Sequence, residues 1–217
     1  MGTNWKKMAD NASSRSQVYG LLATVFREEP SAALVEELRS PPMKEVFGEM
    51  NIELGRGFHS SSALLVADLL AEEFTRLFLG PGRHISAHES IFAEVDGESG
   101  SLWGATTVEV KKFIEATGLA YDPEYTGIPD HVSVELEFMQ QLSAWEAEQW
   151  RQKSRGRAEY CADVQRRFLD RHLLRWLPQF MDAVIAEASL PFYRAMAELS
   201  KSFVQLERAS LVDEAAA

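Results

Sequence analysis

Apolar residues return along almost the whole chain at helical spacing. Val18, Leu21, Leu22, Val25 and Phe26 fall at i, i+3, i+4, i+7 and i+8. Leu65, Val66, Leu69, Leu70, Phe74, Leu77 and Phe78 repeat the stripe, as do Phe192, Ala195, Met196, Leu199, Phe203 and Leu206. Such a stripe is buried when helices pack on one another. No apolar-polar alternation is long enough for a strand, and there is neither a heptad run nor an internal repeat. The expected fold is therefore all-α, one helical bundle of about nine to ten helices. Its 217 residues suit a single domain over 1–217 with a substantial core.

Prolines, glycines and serines set the expected boundaries. Ser13 or Ser14 caps a first helix, and Glu29-Pro30-Ser31 ends it and caps a second. Pro41-Pro42 breaks again before a short helix through Val46, Phe47 and Met50, Gly55 and Gly57 mark a loop, and Ser60 to Ser62 cap the next stripe. Gly80-Pro81-Gly82 stops that helix. Residues 80–104 then lose periodicity and carry Glu94, Asp96 and Glu98 among glycines, followed by Leu102-Trp103. A loop of that length is a functional candidate. Thr106 or Thr107 restarts a helix that Gly118 ends. The 121–129 segment, with Pro123 and Gly127, is expected to serve as a hinge, which would let a homodimer form by exchanging halves. Gly156 is expected to separate the next two helices, Pro178 to kink or restart one, and Pro191 to open the last, whose end at Asp213–Ala217 should fray.

The central helix is expected from Pro129 to about Lys153. Proline fits a first helical turn, where its missing N–H has no partner to lose. Asp130 and His131 then sit at the positive end of the dipole, which favours the carboxylate and disfavours a charged imidazole. His131 and Glu135, four apart, share one face, with Val134, Phe138, Leu142 and Trp145 on an adjoining apolar face. An Asp-His pair at a helix mouth backed by core is a place where a ligand could sit. The plain structural reading is an N-terminal cap with a satisfied histidine.

Several classes of function lack their residues. Cys161 is the only cysteine, so a disulfide or Cys-rich zinc site is out of reach and a reducing compartment, the cytoplasm, is expected. A net charge of −11 argues against nucleic acid. No apolar run approaches a membrane span, and Met1–Asp10 is no secretory signal. His84 and His88 are four apart beside Glu89 but follow Gly-Pro-Gly in a loop, where no helix presents both rings together. No histidine has a Glu three residues before it, as a di-iron bundle needs. There is no Gly-x-Ser-x-Gly turn and no phosphate-binding loop. Cys161 and His172 read as core residues. No catalytic residue, metal or cofactor is assigned on this reading. The alternative from another class is a small helical metal-dependent enzyme using Asp130, His131 and Glu135.

Three motifs in order, Leu77-Phe78-Leu79-Gly80-Pro81-Gly82, Glu89-Ser90-Ile91-Phe92 and Pro129-Asp130-His131 running into Glu135-Leu136-Glu137-Phe138-Met139, resemble the TorD/DmsD/NarJ group of chaperones. Tyr19-Gly20-Leu21-Leu22 near the start, and His172-Leu173, Trp176 and Pro191-Phe192-Tyr193 near the end, extend the resemblance over the chain. Two departures stand out: His84-Ile85-Ser86-Ala87-His88 replaces a proline-rich stretch, and Ile128 replaces a Glu. The resemblance implies a cytosolic chaperone that binds the twin-arginine signal peptide and the body of a molybdopterin oxidoreductase catalytic subunit until its cofactor is inserted. It implies a role for Gly80, Pro81, Glu89, Ser90, Asp130 and His131. A basic, apolar leader needs carboxylates beside an apolar groove, for which Asp130, Glu135, Phe78, Trp103 and Phe138 are the candidates.

Overall fold

The computed structural model describes residues 4–93, 100–119 and 126–216, with side chains as far as Leu211. The acidic positions 94–98 and most of the 121–129 hinge therefore lie outside the described residues. The helices are α1 Trp5–Arg27, α2 Ala32–Leu38, α3 Pro41–Glu49, α4 Arg56–Ser60, α5 Ala63–Phe74, α6 Glu89–Phe92, α7 Ala105–Ala116, α8 Val132–Arg151, α9 Arg155–Phe168, α10 Leu174–Glu187 and α11 Pro191–Ala216. A π turn, Thr75–Leu79, extends α5, and a second, Leu169–Leu173, joins α9 to α10 in one rod. The described residues thus form ten rods and no strand, an all-α fold.

Local chemistry places most boundaries. Ser31 and Ser62 accept hydrogen bonds from the Leu34 and Leu65 amides at 3.2 and 3.3 Å, satisfying donors that the first turns leave open. Pro41 and Pro191 open α3 and α11, where a missing N–H costs nothing.

The first helix begins earlier than its serines suggest, capped by Asn4, which accepts from the Lys7 amide at 3.1 Å. Its opening turns bury Ala9 and Ala12 against Ala147, Trp150 and Ala158, a small second core whose alanines leave little hydrophobic signal. Gly156 lies inside α9, and the break before it falls at Lys153, in the left-handed region at φ 56°. Pro178 sits inside α10 without restarting it. The last helix runs to Ala216.

Val66, Ala67, Leu70 and Phe74 form the buried stripe of α5, which leaves Leu65 and Leu69 facing outward. Val46, Met50, Trp145 and Leu206 also face outward. These residues have the right period but stand on the flank of their stripes.

The main core is aromatic. Phe26 meets Phe78 and Phe180 edge-on at 6.1 and 6.0 Å, and Trp176 lies 5.5 Å from Phe180. Edge-to-face pairs of this kind add to the gain from area burial. Alongside them runs a buried polar lock. Glu146 of α8 pairs with Arg15 of α1 and accepts from Trp150 Nε1 at 2.9 Å and from Gln165 Nε2 of α9 at 2.7 Å. Arg15 also approaches Glu207 of α11 at 3.4 Å, so one guanidinium ties three helices together.

Glu146→Ala leaves Trp150 Nε1 without its acceptor and Arg15 with Glu207 as its remaining carboxylate, and is expected to cost on the order of 3 kcal/mol in urea denaturation. Arg27→Ala breaks a half-exposed ion pair to Glu137 and is expected to cost under ~1 kcal/mol. Equal costs would count against the lock.

Candidate functional site

The segment after α5 crosses the start of α8. Gly80 ends the π turn, and the Ile85 amide donates back to the Leu77 carbonyl at 2.7 Å. Farther along, the Glu89 amide donates to the Asp130 carbonyl at 3.0 Å and the Val132 amide to the Ala87 carbonyl at 2.8 Å. This two-bond antiparallel bridge sets His88 opposite His131, with ring centroids 5.0 Å apart.

Asp130 and His131 divide the capping work differently from the expectation. Neither is helical, and α8 begins at Val132 with His131 as its cap. His131 Nδ1 accepts from the Ser133 amide at 3.2 Å and lies 2.8 Å from the Ser133 hydroxyl. That nitrogen must be unprotonated to accept. Burial lowers the His131 pKa to about 4, and His88 and Arg27 push the same way against Asp130. Burial also lowers the pKa of His88, whose ring contacts the Ser86 hydroxyl at 3.1 Å. Asp130 serves α6 instead: its Oδ2 accepts from the Ser90 amide at 2.8 Å, and the residue is fully buried.

Beneath this crossing lies a chain of buried polar groups. His172 Nδ1 stands 3.0 Å from a carboxylate oxygen of Glu89 on α6. Glu135 of α8 accepts from Trp176 Nε1 of α10 at 3.1 Å. Burial, with the charge of Glu89, raises the Glu135 pKa well above the ordinary carboxylate range. His172 with Glu89, and Glu135 with Trp176, thus tie α6 to the second π turn and α8 to α10.

The structure therefore brings Asp130, His131, Glu135, Glu89 and Ser90 to one junction, but mostly inside it. Phe78 is core, packed on Phe26, Phe74, Phe180 and Tyr193, and Phe138 is core against Phe113 and Phe168. Gly80 and Pro81 are on the outer loop. Trp103 stands apart at 63% exposure, with φ at 64°, a region bulky residues rarely take. Among the described residues no three potential metal ligands converge, so Asp130, His131 and Glu135 form no such set.

Sequence reading missed a groove of about 740 Å³ between α1, α2, α3 and α8. Val18, Leu21, Leu34, Met43 and Val46 give it apolar walls, and Glu37 and Glu137 are among its lining. Arg27, also in the lining, pairs with Glu137 at 2.6 Å, and its charge reaches His131, so the groove adjoins the crossing. Its walls come from α1, α2 and α3 together with α8, far along the chain, so no single stretch of sequence signals it.

The family described as nitrate reductase delta subunit matches residues 33–182. The chaperone protein TorD of Photobacterium profundum is 32% identical over 146 residues, 67% of this chain and 65% of that protein. The chain thus aligns with slightly under two thirds of that relative's length. The perchlorate reductase assembly chaperone protein of Dechloromonas aromatica is 29% identical over 212 residues, 90% of this chain and 88% of the relative. The Tat proofreading chaperone DmsD of Salmonella typhi is 26% identical over 151 residues, 66% and 62% of the two chains. A crystal structure from Archaeoglobus fulgidus, described as a redox enzyme maturation protein, shares the fold. Its TM-score is 0.55, at 17% identity over 88% of this chain and 93% of that one.

The junction makes stability pH-dependent in two opposing ways. Between pH 6.5 and about 4 the unfolded chain protonates His131 and the folded chain does not, so stability falls with pH by on the order of 2–3 kcal/mol. Above the ordinary carboxylate range the unfolded chain ionises Glu135 while the folded chain holds its proton, so stability falls as pH rises. In urea titrations across pH, His131→Asn, which keeps an acceptor cap, is expected to flatten the acid limb. Glu135→Gln is expected to flatten the alkaline one. Unchanged limbs would refute these protonation states.

Proposed function

The chain belongs to the nitrate reductase delta subunit family, and on that footing we propose that it is a cytoplasmic chaperone for a molybdenum-containing oxidoreductase. It holds the twin-arginine signal peptide of the apo-enzyme and delays export until the cofactor is in place. The relatives named above are chaperones, which favours this reading over a small helical enzyme.

The observation that carries the peptide reading is the apolar groove with carboxylates in its lining, beside the His88–His131 crossing. A twin-arginine leader joins a cationic end to an apolar stretch, and the groove offers the complement of both. Val18, Leu21, Met43 and Val46 receive the apolar part. Glu137 and Glu37 meet the arginines. The Arg27–Glu137 pair is half-exposed and worth little, so an incoming guanidinium displaces Arg27 at small cost. Arginine, unlike lysine, makes a two-pronged bond to a carboxylate, which gives the pair its selectivity.

Asp130, Glu89, Ser90 and Glu135 act here as positioning groups. They fix the edge formed by His88, His131 and the Gly80-Pro81 loop without touching the peptide. Phe78 and Phe138 support that edge from the core, and Trp103 offers a further exposed apolar contact to the client.

Calorimetry with a synthetic leader peptide tests the reading. Glu137→Gln together with Glu37→Gln is expected to lower affinity roughly ten- to hundredfold, the scale of a lost charge-assisted contact. Replacing the paired arginines by lysines should weaken binding as well. Asp130→Asn, which keeps an acceptor for the Ser90 amide, is expected to change affinity less than Glu137→Gln. A leader peptide that binds all these variants equally would rule out the groove.

A further inference from the structure

The acidic chain has one strongly basic stretch. From Arg151 to Arg175 there are eight Lys or Arg against three Asp or Glu, a local charge of +5 in a chain of −11. Its later part, from Tyr160 to Arg175, lines a cleft of about 740 Å³ between α7 and the α9–α10 rod. Arg167, which pairs with Asp163 at 3.0 Å, Arg171 and Arg175 line it from the rod, four residues apart, and Lys112 lines it from α7. Phe113 and Tyr160 supply apolar wall. Lys112 and Arg171 are exposed, and among the described residues neither has an ion-pair partner.

We propose that this cleft is a second docking site, one that takes an acidic polypeptide segment of the partner. On the chaperone reading, on which the partner's identity rests, that segment belongs to the body of the client enzyme rather than its leader. Charge argues for the separation. A site that holds a basic leader repels an acidic segment, and this cleft does the reverse.

The layout favours spaced carboxylates over one compact polyanion. Three arginines spread along about two turns of rod rather than converging on one point. Glutamates at i, i+4 and i+8 of a helix repeat at the same interval. Glu109 and Asp170 also line the cleft, and Asp170 is held by Arg208. A cluster of phosphates would face both carboxylates at once. A helix with spaced charges sets each one opposite a cation, where guanidinium forks bind carboxylates two-pronged.

The test uses the full chain and a fluorescein-labelled helical peptide with Glu at i, i+4 and i+8, followed by anisotropy. Its Gln counterpart is expected to bind at least tenfold more weakly. The Lys112→Gln, Arg171→Gln variant should lose at least tenfold in affinity for the Glu peptide while its affinity for the leader peptide stays unchanged. Binding by the wild-type chain should weaken as salt rises, which needs no variant to fold. Absence of Glu-peptide binding, or equal binding by the Gln peptide, overturns the proposal. Displacement of the Glu peptide by equimolar inorganic pyrophosphate does so too, in favour of a phosphate site. Dispersal of a wild-type dimer by the double substitution, seen in light scattering, would assign the cleft to a second copy and overturn it as well. Leader binding measured in parallel separates failure of this site from failure of the groove.

Discussion

A long helix buried on most of its faces must find internal partners for every polar group it carries inward, and α8 carries two carboxyls. Glu135 and Glu146 are both essentially fully buried and lie eleven residues apart, about three turns, on one side of the helix. A lone buried carboxylate is among the costliest things a core can hold. The fold answers the same demand in two ways. Glu146 pairs with Arg15 of α1 and also accepts from Gln165 and Trp150. Glu135 instead accepts from Trp176, and burial with the charge of Glu89 raises its pKa well above the ordinary carboxylate range.

These two solutions set what each end of α8 can do. At the Glu146 end a guanidinium pins α1 and α11 to α8, and that end is structural. At the Glu135 end the partners come from α6 and α10, and α6 is a single turn that could not hold its place alone. Its position comes from Asp130 at its first amides, from the His88–His131 bridge, and from Glu89 anchored beneath. The buried acid groups thus fix a surface edge without forming part of it. A peptide reaching this edge meets histidine rings held neutral, the Gly80-Pro81 loop and the carboxylates of the neighbouring groove. The opposite charge of the α7–α9 cleft sets it apart from that surface.

Much of the architecture could be read from residue spacing, and the reasons are local. Helical periodicity marks a helix because side chains three and four apart share a face whatever surrounds them, and Ser31, Ser62, Pro41 and Pro191 act on amides within their own first turn. The misplacements are instructive for the same reason. Ala9 and Ala12 bury little area each, so the true start of α1 left no strong stripe. Pro178 and Gly156 are weak punctuation when a packed rod holds its course around them. Leu65, Leu69 and Leu206 show that period alone does not separate the centre of a buried stripe from its flank.

The candidate site divides along the same line. The sequence by itself determined that the chain is all-α, that Asp130 and His131 stand at the mouth of a long helix, and that the motifs around Gly80, Glu89 and Asp130 belong to one family. Each of these rests on neighbours along the chain or on an ordered set of motifs. Only the tertiary structure decided that Asp130 caps α6 rather than α8, and that Glu135 faces Glu89 and Trp176. It alone placed Phe78 and Phe138 in the core and left the groove between α1, α2, α3 and α8 open. Those outcomes depend on groups 40 or more residues apart, such as Asp130 with Ser90 and Trp176 with Glu135. Burial and charge pairing between such groups are properties of the assembled interior, where no local spacing encodes them.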